Sequence, residues 1–128
     1  MVDSSVLVAA LVDSGPTGTW AERVLAGGTL CAPELAKVEA MNIIRRLERA
    51  KQILTAEANV GVHALSQLEI ELFPFEPFAR RVWELRHAVT CHDAWYVALA
   101  EAADLPLATL DRRLSRASGL ACKFLMPR

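Results

Sequence analysis

The chain has 128 residues, 53% of them hydrophobic, with a mean hydropathy of +0.25 and a formal net charge of −1. That length fits one domain with one sizeable core, and a charge so close to zero excludes the global basic field that would announce nucleic acid. No apolar run approaches the ~20 residues that span a bilayer, and no basic n-region opens the chain, so neither anchor nor signal peptide is expected and cytoplasmic residence follows.

The elements alternate. Met1–Asp3 reads as the end of a first strand, followed by a helix from about Ser5 to Val12. The polar break Asp13-Ser14-Gly15-Pro16-Thr17-Gly18 is a loop, and a second helix starts at Thr17 or Thr19 and stops at Gly27-Gly28. Thr29–Ala32 is a short strand. Pro33 suits the first turn of a helix that runs to about Ala50. Thr55 begins a helix reaching about Glu69. Ile70–Phe75 is strand-like, and Pro74 confines it to an edge. Pro77 opens a helix to about Ala88, and Asp93–Ala103 is helical. Leu107–Leu110 is a strand, Arg112–Ser118 a helix stopped by Gly119, and Ala121–Leu125 a last strand. Such alternation predicts an α/β fold with a mostly parallel sheet.

Four carboxylates stand in apolar settings: Asp3, Glu39, Asp93 and Asp111. Three have a local explanation. Asp3 and Asp111 fall where a strand passes into a helix, a preferred N-cap position, and Thr90-Cys91-His92-Asp93 fits a capping box. Two features favour a shared site instead. Ligands of open α/β sheets bind beyond the carboxyl ends of the strands, where Asp3 and Asp111 project. Glu39 is mid-helix, with Leu35 and Ile43 on its face and Glu34, Lys37 and Glu48 opposite, so no cap explains it. It needs a partner, Asn42 or Arg46 if it is a snorkelling edge residue, or a cation. Gathered carboxylates suit Mg²⁺ or Mn²⁺, and ions of that kind activate water against a phosphodiester.

Eleven of the fourteen basic residues are Arg. They cluster at Arg45, Arg46 and Arg49, at Arg80, Arg81 and Arg86, and at Arg112, Arg113 and Arg116. Arg is the residue suited to bidentate phosphate contact, although such runs are also ordinary solvated faces. The stripe Glu39, Asn42, Arg46, Arg49 leads basic groups away from an acid along one helix side. Of His63, His87 and His92, only His92 falls beside a candidate acid. Cys31, Cys91 and Cys122 have neither disulfide nor zinc spacing, and Cys31 and Cys122 read as small core residues. The aromatic surplus, Trp20, Trp83, Trp95, Phe73, Phe75 and Phe78, packs inside or marks a partner surface.

Four segments together resemble the PIN-domain ribonucleases, and within them the VapC toxins of type II toxin–antitoxin pairs. They are Val2-Asp3-Ser4-Ser5; Ala32-Pro33-Glu34-Leu35 with Val38-Glu39-Ala40-Met41-Asn42; Asp93-Ala94-Trp95-Tyr96-Val97-Ala98-Leu99-Ala100-Glu101; and Ala108-Thr109-Leu110-Asp111-Arg112-Arg113-Leu114. The acids are 36, 54 and 18 residues apart in succession. The resemblance implies a single PIN-like domain over 1–128, a three-layer sandwich with the sheet between helices. It makes Asp3, Glu39, Asp93 and Asp111 the acidic quartet, with Asp3 and Asp93 the principal ligands of Mg²⁺ or Mn²⁺. Ser5 and Thr109, with Asn42, would support the acids, and Arg46, Arg49 and Arg112 would meet RNA. It further implies endonucleolytic cleavage of a structured RNA such as tRNA or rRNA, a homodimer, and a VapB-like antitoxin whose tail blocks the site. Three alternatives compete: a PIN-like fold used only for binding or housekeeping, a DNA-directed nuclease, and a phosphorelay receiver. The last needs a mid-chain acceptor Asp, and no Asp lies between Asp13 and Asp93.

Overall fold

The computed structural model describes residues 1–128. Helices dominate it: α1 (Ser4–Val12), α2 (Pro16–Ala26), α3 (Ala36–Arg49), α4 (Thr55–Gln67), α5 (Ala79–Glu84), α6 (Cys91–Ala103) and α7 (Arg112–Arg116). The strands are short: β1 (Cys31–Pro33), β2 (Glu71–Phe73), β3 (Leu107–Ala108) and β4 (Phe124–Leu125). β1 pairs parallel with β2, and β3 parallel with β4. The chain's first residues join the two pairs. Val2 bridges Ala108 in parallel, its N–H donates to the Cys31 carbonyl at 3.2 Å, and the Asp3 N–H donates to the Ala108 carbonyl at 3.1 Å. The order across the layer is therefore β2, β1, residues 1–3, β3, β4, with Val2 at the centre. Parallel pairing directs the carboxyl ends of the central strands to one edge.

The sequence places every strand, and the structure shortens most of them. Pro33 closes β1 instead of opening a helix, and α3 begins at Ala36. The Glu34 N–H is drawn to the Phe73 carbonyl at 2.9 Å, which keeps that residue on the sheet. The long helix expected after Pro77 is a 3₁₀ turn at Glu76–Phe78 followed by the short α5. Only Val82 and Leu85 are buried there, too narrow a stripe to hold a longer helix against the core. β2 is an edge strand, as Pro74 requires.

The core is built on α1 and α6. Val6 to Ala9 are buried on α1, and all seven residues from Ala94 to Ala100 are buried on α6. A helix apolar on every side must be covered on every side, which makes α6 an interior helix. Leu7, Ile44, Leu65, Leu99 and Leu107 are among the largest side chains fully enclosed. Cys31 and Cys122 are half-buried rather than core residues, and Cys91 is exposed. The aromatics divide. Trp95 is buried, Trp20, Phe73 and Phe78 pack against the core from its margin, and Trp83 stands 62% exposed.

The approach of α2 to the end of α1 depends on Gly18. A Cβ there would lie 1.7 Å from the Asp13 carbonyl oxygen and 3.1 Å from that of Ala9. Both are backbone atoms and cannot step aside. Gly18→Ala, which in an open helix would gain about 1 kcal/mol from propensity, is instead expected to destabilise the fold by about 2 kcal/mol or more. Urea denaturation checks this; an unchanged or raised midpoint contradicts it.

Candidate active site

Asp3 ends the central strand segment and caps α1. Its Oδ1 accepts from the Val6 N–H at 3.1 Å and the Ser5 hydroxyl at 2.5 Å. Its Oδ2 accepts from the Thr109 hydroxyl. The side chain is thus held from its own helix and from the end of β3, 106 residues away. Ser5 and Thr109 also reach the following loop: Ser5 Oγ accepts from the Leu110 N–H at 3.3 Å, and Thr109 Oγ1 from the Asp111 N–H at 3.0 Å. The position of Asp111 is therefore tied to that of Asp3.

Asp111 caps α7, its Oδ1 accepting from the N–H groups of Arg113 at 2.9 Å and Leu114 at 3.2 Å. Asp93 lies in the first turn of α6. Its N–H donates to the hydroxyl of Thr90, the N-cap, at 3.2 Å. The Thr90 side chain also hydrogen-bonds the Asp93 carboxyl, so the cap holds both the backbone and the side chain of Asp93.

Glu39 is held by α6. Its Oε1 accepts from the Tyr96 hydroxyl at 2.8 Å, and its Oε2 lies 3.2 Å from His92 Nδ1. A carboxylate only accepts, so Nδ1 carries the proton in that bond. These partners replace Asn42 and Arg46, the local candidates. The Asn42 amide oxygen accepts from Arg45 at 3.3 Å and touches none of the acids. The expected face of Glu39 also needs correction. The buried residues of α3 are Ala36, Ala40 and Ile44, whereas Leu35 is 45% exposed and Ile43 half-buried, so Glu39 flanks the core stripe. Lys37, expected in solvent, is half-buried and its Nζ donates to the Leu68 carbonyl at 2.7 Å, closing the end of α4. Arg46, Arg49 and Arg112 are exposed, the first two in the last turn of α3 and the third opening α7. Tyr96 was not singled out by sequence reasoning. Its position three residues after Asp93, on the same helix face, is the signal that could have found it.

The four acids are near enough for their charges to act on one another. Burial pushes the Asp3 carboxyl up against the hydrogen bonds from Ser5, Thr109 and the Val6 N–H, and the charge of Asp93 adds to the rise. Burial also pushes Asp93 up, with the charges of Asp111 and Glu39 adding to it. Burial, then the charge and hydrogen bond of Glu39, raise the Tyr96 phenol. No Lys or Arg pairs with any of the four; the one Arg engaged in ion pairs is Arg81, with Glu84 and Glu101.

This donor set is hard oxygen throughout, which fits Mg²⁺ or Mn²⁺ and not a soft metal. No three of the acids converge tightly enough to ligate one ion directly. The fit is to an ion that keeps several waters, bound by one or two carboxylates and reached by the others through water.

A family profile described as PIN domain matches residues 1–120. The chain belongs to the PIN-domain family. Within it, the chain is a VapC protein. It is 36% identical to Ribonuclease VapC1 of Mycobacterium tuberculosis, with 100% of this chain and 97% of that protein covered. It is 32% identical to VapC ribonuclease Mb0985 of Mycobacterium bovis, covering 100% and 98%. Among solved structures, Mycobacterium tuberculosis VapC20, titled a Sarcin-Ricin loop cleaving toxin, superposes with a TM-score of 0.66 at 17% identity, covering 94% of this chain and 95% of that one. A Pyrobaculum aerophilum protein gives 0.63 at 22% identity, covering 89% and 75%. These overlaps show the PIN fold, and the family match displaces the phosphorelay-receiver alternative.

The raised carboxyls carry a stability consequence. A carboxyl whose pKa is higher folded than unfolded binds protons more readily when folded. It therefore destabilises the fold as pH rises from the ordinary carboxylate value through the raised one, and the full cost persists above it. Asp93→Asn removes part of that cost. In EDTA at pH 7 its melting temperature is expected to exceed that of the native protein by about 2–4 °C. The difference should shrink as pH falls toward about 4. A native protein as stable as the variant at pH 7 contradicts this account.

Proposed function

We propose that this PIN-domain protein is a Mg²⁺- or Mn²⁺-dependent endoribonuclease and the toxin of a type II toxin–antitoxin pair. The observation that carries the reading is the gathering of Asp3, Glu39, Asp93 and Asp111 at one sheet edge with no Lys or Arg neutralising them. Burying like charges costs stability, and a divalent cation relieves that cost. The names of the relatives, ribonucleases VapC1 and Mb0985, support RNA as the substrate.

In this reading Asp3 and Asp93 would be the principal ligands of the ion, and Glu39 and Asp111 would contribute directly or through water. The chemistry the ion supplies is neutralisation of phosphodiester charge and acidification of water. The chain's own groups do the positioning. Ser5 and Thr109 fix the Asp3 carboxylate, and Tyr96 and His92 fix Glu39. No histidine is required as a base. Arg46, Arg49 and Arg112 meet phosphates on either side of the reacting bond, where guanidinium geometry is effective. A structured RNA, tRNA or rRNA, is the target. The protein acts in the cytoplasm as a homodimer, and a VapB-like antitoxin restrains it. No helix is long and apolar enough to cross a membrane.

Purified protein is expected to cleave RNA in Mg²⁺ or Mn²⁺ and to stop on addition of EDTA. Asp93→Asn should slow cleavage at least about a hundredfold. Undiminished cutting by that variant rules out the metal-nuclease mechanism. Expression of the chain alone should arrest growth, and the Asp3→Asn and Asp93→Asn variants should not; equal growth of all three rules out the toxin role.

A further inference from the structure

A groove of about 560 Å³ opens beside the acids, and its lining combines both signs of charge: Asp93 and Asp111 with Arg86, His87 and Arg113. Opposite charges sharing a groove normally pair. Here neither Arg86 nor Arg113 forms an ion pair, although two carboxylates line the same space. Asp111 Oδ1 instead takes the backbone N–H groups of α7, and the Asp93 carboxyl is hydrogen-bonded by Thr90. Guanidinium groups left without a carboxylate partner are suited to a polyanion.

Arg86 also builds a second feature. Its guanidinium carbon stands 4.4 Å from the centroid of the Trp83 ring, and its Nη1 donates to the Trp83 carbonyl at 2.7 Å. The ring is thereby fixed under a cation while remaining 62% exposed, an unusual position for the largest apolar side chain. A rigid aromatic plate beside a groove that offers unpaired guanidinium groups is the arrangement that binds unpaired nucleic acid, with bases stacking on the ring and phosphates meeting the cations. Neither Trp83 nor Arg86 contacts an acid of the site, so the catalytic chemistry leaves both unexplained.

We propose that the groove lined by Arg86 and Arg113 takes an unpaired RNA strand running from the acidic site, with a base stacked on the Trp83–Arg86 plate. This rests on the ribonuclease reading for the identity of the polyanion. It adds Trp83, Arg86 and Arg113 to the RNA-binding residues and makes single-stranded character at this side of the cut a requirement for tight binding.

The test is binding of a fluorescein-labelled oligoribonucleotide to Asp93→Asn protein in Mg²⁺, read by anisotropy. Cleavage does not enter the measurement, so its result stands apart from whether the native protein cuts RNA. In that background, Trp83→Ala is expected to weaken binding at least about fivefold, with Trp83→Phe restoring most of it. Arg86→Ala and Arg113→Ala should each weaken binding and lower the slope of log affinity against log salt by about 0.7. Arg23→Ala, on α2, serves as the control for net charge and should leave the affinity in place. Melting temperatures within about 2 °C of the parent show that the surface changes do not unfold the chain. Unchanged affinity in Trp83→Ala and both Arg variants overturns the proposal and leaves Trp83 to a protein partner. Equal affinity for a duplex of the same sequence overturns the stacking plate.

Discussion

The bonds on the Asp3 carboxylate organise this molecule. One oxygen is held by Ser5 and the Val6 N–H, the other by Thr109. The backbone on either side is equally committed, since Val2 and Asp3 sit between β1 and β3 and bond to both. A buried carboxylate is costly unless its lone pairs are satisfied. That requirement fixes the first turn of α1 and the loop after β3 relative to each other, and through them it places Asp111. Removing either hydroxyl would loosen the sheet centre and the acidic site together.

Satisfied lone pairs do not remove charge. The four acids stand near one another without a Lys or Arg, and Asp3 and Asp93 are each pushed up by burial and by a neighbouring acid. A fold selected only for stability would pair or replace such groups. Strain of this kind is a signature of function. Glu39 shows how the strain is contained. It flanks the buried stripe of α3, and the interior helix α6 reaches across to hold it with Tyr96 and His92. Because α6 is buried over seven consecutive residues, the two groups that grip Glu39 share a rigid support with Asp93.

Around this centre the surfaces differ. On one side lies the mixed-charge groove with Arg86 and Arg113. Near His92 a different hollow is lined by Leu35, Phe75 and Trp95, where Phe75 meets Trp95 edge-on with ring centroids 5.6 Å apart. The buried Trp95 indole N–H has no acceptor in that packing. The groove carries two Arg that suit a phosphate chain, whereas the aromatic hollow is lined by Glu34 and His92 beside its apolar groups and has no Lys or Arg. The division follows from α6, whose first turn separates the two.

Local sequence determined the caps. Asp3, Thr90 and Asp111 each bond to a backbone N–H two or three residues on, a geometry set by helix initiation alone and readable wherever such a residue precedes an apolar run. The order of strands and helices was legible for the same reason, and the four acids stood out by their apolar settings. Pro33 misled, because its first-turn preference for helix yields to a strand bond made by Glu34 with Phe73. The tertiary structure alone decided which residues hold Glu39, since Tyr96 and His92 lie 57 and 53 residues away. It alone decided that Trp95 is buried and Trp83 exposed, and that Arg86 lines one groove with Asp93 and Asp111. Contacts at such separations are fixed by how helices pack against the sheet, and no local period or cap encodes them.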